Sequence, residues 1–279
     1  MKMQDVTALG RPIDPDYPSN RAITLLTGLV IVAGGVWQWL AGDGPLEAAL
    51  WGIGAGLAVF LAWALGRELD PDHDLSAFVG AGLAIAGLFF LPRPGLLALF
   101  WMLSAVRVVN RTTGLAARIL DSLLILGLGA WLTWQGGWVY GLLTAGTFLL
   151  DARLAPRLAR HLFFAAAAAA AGLILPLLNG QGFEAERLPA AYFAATAAVA
   201  ALMVIVIGTT RAPEAKGDET GEPLNPVRVR AGQALAAGTA LLVAWWQGPD
   251  GIEALMPLWA ALLGVALYRL GLLGARRRT

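Results

Sequence analysis

The sequence contains no cysteine, and charged residues make up only 14% of its 279 residues. Without cysteine, the chain can form neither a disulfide nor a thiolate metal site, and it has no thiol nucleophile. The only histidines are His73 and His161, which leaves little scope for a histidine-rich metal or haem site. The formal net charge is +1. No strongly basic or acidic balance therefore points to a nucleic-acid partner.

Apolar residues are plentiful: 58% of the chain is hydrophobic and the mean hydropathy is +0.66. Soluble domains carry about a quarter charged residues, and a helix that crosses a bilayer needs about 20 mostly apolar residues. The composition therefore predicts an all-α, polytopic integral membrane protein with about ten transmembrane helices. We expect spans at about 22–41, 46–65, 76–91, 94–106, 116–134, 138–152, 162–178, 189–208, 231–247 and 252–273. The fourth and sixth are short, so the sequence leaves open whether they cross fully.

The basic residues predict the orientation. Of the 20 lysines and arginines, all but Arg93 and Arg187 fall on one side of the predicted spans. Cytoplasmic loops carry an excess of these residues, so we expect a multi-pass protein of the inner (plasma) membrane with both termini cytoplasmic. Most tryptophans fall at the predicted outer interface, where indoles prefer the headgroup level. They could instead form an aromatic platform for a ligand.

One frame of residues occurs three times. In each copy a polar residue follows an arginine by three positions, and a Trp-Gln pair starts sixteen positions after that arginine. The copies begin at Arg21, Arg118 and Arg230. A recurring frame indicates a repeated supersecondary unit. Short turns on the outer side divide the spans into five hairpins, and the frame opens the first, third and fifth. We therefore predict parallel internal repeats, with two four-helix units at about 21–115 and 118–225 and a terminal half unit.

These features predict four segments. Residues 1–20 form a cytoplasmic polar arm, and residues 21–208 form the two four-helix membrane repeats. Residues 209–229 are rich in proline, glycine and charge, which predicts a flexible cytoplasmic loop. Residues 230–279 form a terminal helical hairpin with a basic tail.

The first candidate site is the charged turn that starts at Arg67. Its acids are Glu68, Asp70, Asp72 and Asp74. Such alternating acids could bind a divalent cation, and through it a phosphate. They do not complete a calcium loop, because Leu75 replaces the required glycine and Ala81 the required glutamate. The alternatives are a turn stiffened by Pro71 and a contact with a partner protein.

Two further candidate groups lie on the predicted cytoplasmic side. The first contains Arg107, Asn110, Arg111, Arg118 and Asp121, and the second contains Asp151, Arg153, Arg157, Arg160 and His161. Arg118 and Asp121 are one helical turn apart, so we expect a structural ion pair. Asp151 is followed by Arg153, Arg157 and Arg160, which would share one helical face if Pro156 did not break the helix. Such a row could hold a lipid phosphate or an anionic substrate, or it could serve only as positive-inside anchoring. The candidate cation, phosphate or partner site therefore consists of the acids of 67–74 together with Asp151, Arg153, Arg157 and Arg160.

Two four-helix units with charged loops at 67–74 and 151–161 resemble the intramembrane aromatic prenyltransferase superfamily in layout. That resemblance implies a Mg²⁺-bound diphosphate held by aspartate-rich loops after helices two and six. The family's N-D-x-x-D motif is absent, since position 67 is arginine and the second loop keeps only Asp151. The departure puts that activity in doubt.

Three classes of function follow. The first is a non-catalytic scaffold or assembly subunit, whose partners are membrane lipids and other membrane protein subunits. The second is an enzyme acting on a lipid or isoprenoid diphosphate with Mg²⁺. The third is a transporter of an apolar or lipid-like substrate. The sequence favours the scaffold, because no motif indicates a reaction and charged residues are scarce near the middle of the predicted spans.

Overall fold

The computed structural model describes residues 6–11, 13–91 and 94–276, with side-chain detail as far as residue 273. Within these ranges the chain is 74% helical and has no strands. The ten helices are α1 (Pro18–Leu40), α2 (Pro45–Leu69), α3 (Asp74–Leu88), α4 (Leu96–Asn110), α5 (Ile119–Trp134), α6 (Trp138–Arg153), α7 (His161–Leu178), α8 (Ala190–Thr209), α9 (Pro226–Ala254) and α10 (Met256–Arg276). Helix α9 is kinked at Gly248, where φ is 57°.

A helix lies at each predicted span, which confirms the all-α fold class. Five helices, α1, α2, α7, α8 and α10, are long and apolar enough to cross a membrane. Helices α4 and α6 contain 15 and 16 residues. At 1.5 Å per residue they extend about 22 and about 24 Å, which is less than the roughly 30 Å of a hydrocarbon core. Helix α1 begins at Pro18, before the predicted position 22, because proline suits the first turn of a helix.

The chain forms two compact units. The Asp151 unit contains Met1–Arg11 and Phe100–Ile252, and the Asp70 unit contains Pro12–Leu99 and Glu253–Thr279. These boundaries differ from the predicted repeat boundaries near residues 116 and 226, which rest on the sequence frame and stay a prediction.

In the Asp70 unit, α2 packs against α1, α3 and α10, and α3 also packs against α10. Glycine allows the closest of these approaches. A Cβ atom on Gly52 would lie 2.8 Å from the backbone nitrogen of Gly35 on α1. A Cβ on Gly80 of α3 would lie 3.1 Å from Cα of Ala261 on α10. Small residues at these positions let the helix backbones come together, as is typical of membrane helices.

In the Asp151 unit, α5, α6 and α7 pack against one another. Residues 6–11, part of the predicted polar arm, dock on this unit. The backbone nitrogen of Ala8 donates to Asp121 at 2.9 Å, and Arg107 donates to the carbonyl of Leu9 at 3.0 Å. Ala8 and Leu9 are buried. This part of the arm is therefore integrated into the folded unit.

The predicted flexible loop has a hydrogen-bonded turn at its centre. Backbone nitrogens of Asp218 and Glu219 donate to the carbonyls of Thr112 and Thr113, at 3.2 and 3.0 Å. Arg11 pairs with Asp218 at 2.6 Å. The last residues of the predicted loop are helical, because α9 begins at Pro226. These contacts anchor the segment to the Asp151 unit at several points.

The Asp151 unit has a tryptophan end, defined by Trp134, Trp138 and Trp246. The rings of Trp138 and Trp246 meet edge to face with centroids 5.1 Å apart. Trp246 donates to the carbonyl of Gly136 at 3.2 Å, and Gln181 donates to the carbonyl of Trp134 at 2.9 Å. The Trp-Gln pairs of two copies of the frame therefore lie at the same end of this unit.

Candidate functional site

The opposite end of α5 and α9, the basic end of the Asp151 unit, contains a buried ion network centred on Asp151. The Asp151 side chain is fully buried near the end of α6. Its Oδ1 atom lies 2.8 Å from Arg228 Nη1 and 2.8 Å from Arg111 Nη2. Its Oδ2 atom lies 2.8 Å from His161 Nδ1. One carboxylate thus joins residues from the ends of α4, α6, α7 and α9.

Arg228 uses its whole guanidinium group in this network. Besides its bond to Asp151, it donates to four backbone carbonyls. Those carbonyls belong to Val109, at the last turn of α4, and to Leu154, Ala155 and Pro156, just after α6. Carbonyls at helix C-termini carry partial negative charge and lack intrahelical partners. Arg228 therefore both neutralises a carboxylate and caps the ends of two helices.

Arg111 reaches Asp151 from a left-handed backbone conformation, with φ of 53°. Only glycine and, less often, asparagine or aspartate adopt this region readily. Arg111 directly follows α4, and its Nε lies 3.0 Å from Asp151 Oδ1. The chain thus holds a large, charged residue in an unfavourable backbone conformation while its side chain pairs with Asp151.

His161 links Asp151 to Ser122, since Ser122 Oγ lies 2.9 Å from His161 Nε2. The order serine, histidine, aspartate is that of the hydrolase triad. A triad serine must reach a substrate carbonyl, yet Ser122 and His161 are both fully buried. Ser122 also donates to the carbonyl of Arg118 at 3.0 Å. The arrangement therefore connects α5, α6 and α7 and presents no accessible nucleophile.

The predicted ion pair between Arg118 and Asp121 takes a different form. Arg118 is the residue before α5, outside the helix, and its backbone nitrogen donates to Asp121 Oδ2 at 2.8 Å. The other carboxylate oxygen accepts from the Thr7 hydroxyl at 2.5 Å. Asp121 is thus satisfied by neutral donors, because its side chain folds back to cap the helix start. The Arg118 side chain remains exposed.

The predicted row of Arg153, Arg157 and Arg160 does not share one helical face. Helix α6 ends at Arg153, and Pro156 lies in the loop before α7. All three arginines are exposed, whereas Asp151 is buried. The structure therefore separates Asp151 from the arginines with which the sequence grouped it.

The acidic turn after α2 belongs to the Asp70 unit. Asp70 is buried, and its Oδ1 atom lies 3.0 Å from His73 Nδ1 and 3.7 Å from Arg269 Nη1. Asp74 pairs with Arg67. Glu68 is fully buried and Asp72 is exposed. The turn is therefore a local ion-pair cluster that joins the end of α2 to the start of α3 and to α10.

These residues do not fit a magnesium-bound diphosphate. Within the part of the chain that the structure describes, no group of three or more acidic or histidine side chains is placed to hold a metal ion. Asp70 and Asp74 face His73 and Arg67 instead, and Asp151 faces two arginines. The resemblance in layout therefore extends to charged loops but not to the metal-binding geometry it implied.

Two central residues were not among the predicted site residues. The sequence places Arg228 in the predicted flexible loop and Ser122 in an apolar run. A signal for Arg228 was present: it follows Pro226 by two residues, and proline at the first helical position predicts a helix start there. Nothing comparable marked Ser122, because serine is common in membrane helices.

Comparison of the chain with protein-family models, with curated proteins and with solved structures gives no match. The fold itself places the protein in a class. It is an all-helical protein with several apolar helices of membrane-spanning length, as expected of a membrane protein.

Proposed function

We propose that this is a multi-pass inner-membrane protein with ten spans that acts as a non-catalytic scaffold or assembly subunit. In this proposal both termini and the basic end of the Asp151 unit face the cytoplasm. The helices form the parallel four-plus-four-plus-two repeat that the sequence frame predicts.

The observation that carries this proposal is the use of the charged side chains. Asp151, Asp121 and Asp70 are buried and bonded inside their own units. Buried charges that are already paired hold helices in a fixed arrangement. A metal-dependent lipid enzyme would need several carboxylates turned toward a common point. The way these charged side chains are bonded therefore favours a rigid scaffold over an enzyme that acts on a diphosphate.

The apolar surface supports a role within the membrane. In α1, Leu25, Leu29 and Val32 are each at least 65% exposed, and in α8 Phe193 and Val204 are 65% and 68% exposed. Exposed apolar surface of this extent marks contact with lipid or with another membrane protein. We therefore assign these faces of α1 and α8 to lipid, and the exposed acids of the turn after α2 to a partner protein.

Substituting the exposed acids tests scaffold against enzyme. The double variant Asp72→Asn, Asp74→Asn leaves the buried Asp70 in place and removes two negative charges from the turn. The scaffold proposal expects a co-purifying membrane protein to be lost or weakened, with no change in Mg²⁺-dependent turnover of lipid extracts. Loss of such a turnover in the variant would instead establish the enzyme.

The absence of cysteine makes the orientation directly testable. A single cysteine can replace Thr220, in the hydrogen-bonded turn that contains Asp218, or Glu184, in the segment beside the tryptophan end. Both residues are exposed. A membrane-impermeant maleimide should label Glu184→Cys in intact cells and Thr220→Cys only after permeabilisation. Labelling of Thr220→Cys from outside would overturn the proposed sidedness.

A further inference from the structure

Two exposed arginines stand at neighbouring helix starts in the Asp151 unit. Arg118 directly precedes α5 and Arg160 directly precedes α7, and both side chains are exposed. Contacts keep the two starts together: Ser122 Oγ lies 2.9 Å from His161 Nε2, and Arg160 donates to the carbonyl of Ala117. The Arg160 guanidinium group therefore lies next to the residue that precedes Arg118. We call the surface around these two residues the Arg118–Arg160 patch.

The positive charge of this patch is not balanced within the described residues. Neither arginine forms an ion pair there with a carboxylate. The acid closest to Arg118 in sequence, Asp121, is buried, and Thr7, Ala8 and the backbone of Arg118 donate to it. The first turn of α7 contains no acid. Positive charges at neighbouring positions repel each other, and a bound anion would reduce that repulsion.

Large apolar side chains follow the two arginines immediately. Ile119 and Leu120 are 59% and 58% exposed, and Leu162 and Phe163 are 45% and 74% exposed. A free phosphate ion would gain nothing from these side chains. An amphiphile with an anionic head would gain from both, because its head meets the arginines and its chains cover the apolar first turns.

We propose that the Arg118–Arg160 patch binds the headgroup of an anionic phospholipid. Arg118 and Arg160 hold the phosphate by charge-assisted hydrogen bonds, and the acyl chains lie along the exposed starts of α5 and α7. This inference goes beyond the scaffold function and does not depend on it, since lipid binding at this patch can be measured without knowing any protein partner.

Native mass spectrometry of the full chain in detergent tests the proposal. The protein is incubated with equimolar phosphatidylglycerol and phosphatidylcholine, and retained lipids are counted. We expect wild type to retain phosphatidylglycerol preferentially. Each basic residue near a membrane surface changes lipid affinity about fivefold, so Arg118→Gln, Arg160→Gln should reduce this preference by about 25-fold. Arg118→Lys, Arg160→Lys keeps the charge and should retain most of the preference.

Arg187→Gln is the matched control. Arg187 is exposed, and it follows Glu186, whose backbone nitrogen donates to the carbonyl of Trp246 at the tryptophan end. It should leave the preference unchanged. Equal retention of the two lipids by wild type would overturn the proposal, as would an equal loss in Arg187→Gln and in the double Gln variant. Displacement of phosphatidylglycerol by inorganic phosphate, but not by chloride at the same ionic strength, would show a free-phosphate site and would also overturn it.

Discussion

Each compact unit contains a buried carboxylate at a helix end, but the partners of the two carboxylates differ in their exposure to solvent. In the Asp151 unit the carboxylate, Arg111 and Arg228 all have side chains that are at most 8% exposed. In the Asp70 unit the carboxylate is 3% exposed, but its partners His73 and Arg269 are 27% and 18% exposed. One cluster is closed to solvent and the other is open at its edge.

The difference teaches which charges are structural. A buried pair is strongly destabilising to break because the remaining charge has lost its water. A pair near solvent is rehydrated when it breaks, so it contributes little. We therefore expect substitutions in the Asp151 network to affect folding much more than equivalent substitutions around Asp70.

The largest effect is expected for Arg228→Met, which removes the guanidinium group but keeps a long apolar side chain. Four backbone carbonyls lose the donor that Arg228 provides, and Asp151 loses one of its two arginine partners. We expect destabilisation of about 5 kcal/mol, enough to abolish most folded protein. The measurement is unfolding by SDS titration in mixed micelles, with the yield of monodisperse protein as a second readout.

Arg230→Met is the control for Arg228→Met. Arg230 lies two residues further along α9, is exposed, and donates through Nε to the carbonyl of Thr210 at 2.8 Å. It should lose about 1 kcal/mol or less. Similar losses in the two variants would show that Arg228 has no special role.

The comparison is sharpened by making the same change in both units. Asp151→Asn leaves Arg111 and Arg228 without a buried counter-charge, so we expect a loss of about 3 kcal/mol. Asp70→Asn leaves partners that reach solvent, so we expect about 1 kcal/mol. Both are measured by the same SDS titration. If Asp70→Asn proves as damaging as Asp151→Asn, burial does not explain the difference between the units.

Arg111 separates backbone strain from ion pairing. Arg111→Ala and Arg111→Asn both remove the charge, but asparagine tolerates the left-handed region better than alanine. With φ of 53° at this position, we expect Arg111→Asn to be about 1 kcal/mol more stable than Arg111→Ala. Thermal unfolding of the two variants in detergent measures this difference. No difference between them would mean that the turn relaxes once the side chain is removed.

The sequence predicted the helices because their signal is local. Apolar segments of sufficient length, flanked by prolines such as Pro18 and Pro45, mark a membrane helix without reference to the rest of the chain. Helix ends were less accurate, as at Pro226, because polar flanking residues can be either helical or loop. The composition of residues 209–229 predicts a flexible loop, but it cannot indicate contacts with residues far away in sequence. Such contacts come from Arg11, Thr112 and Thr113.

The candidate site was predicted only in part, for a related reason. The sequence grouped Asp151 with Arg153, Arg157, Arg160 and His161, which are near in sequence, and of these the network contains His161. The arginine partners of Asp151 are Arg111 and Arg228, which are 40 and 77 residues away. Long-range pairing of this kind depends on how helices pack, and single-residue patterns carry no information about that packing.

The smallest effect is expected for Asp74→Asn at the open edge of the Asp70 unit. Its partner Arg67 is 21% exposed and Asp74 itself is 49% exposed. Exposed pairs of this kind contribute about 0.5 kcal/mol, and salt screens them. We therefore expect a loss of about that size at low salt and none at high salt, measured by SDS titration at two NaCl concentrations. The adjacent Asp72→Asn, on an exposed side chain, serves for comparison. A loss of several kcal/mol that persisted at high salt would mean that Asp74 is held as tightly as Asp151, and the contrast between an open and a closed cluster would disappear.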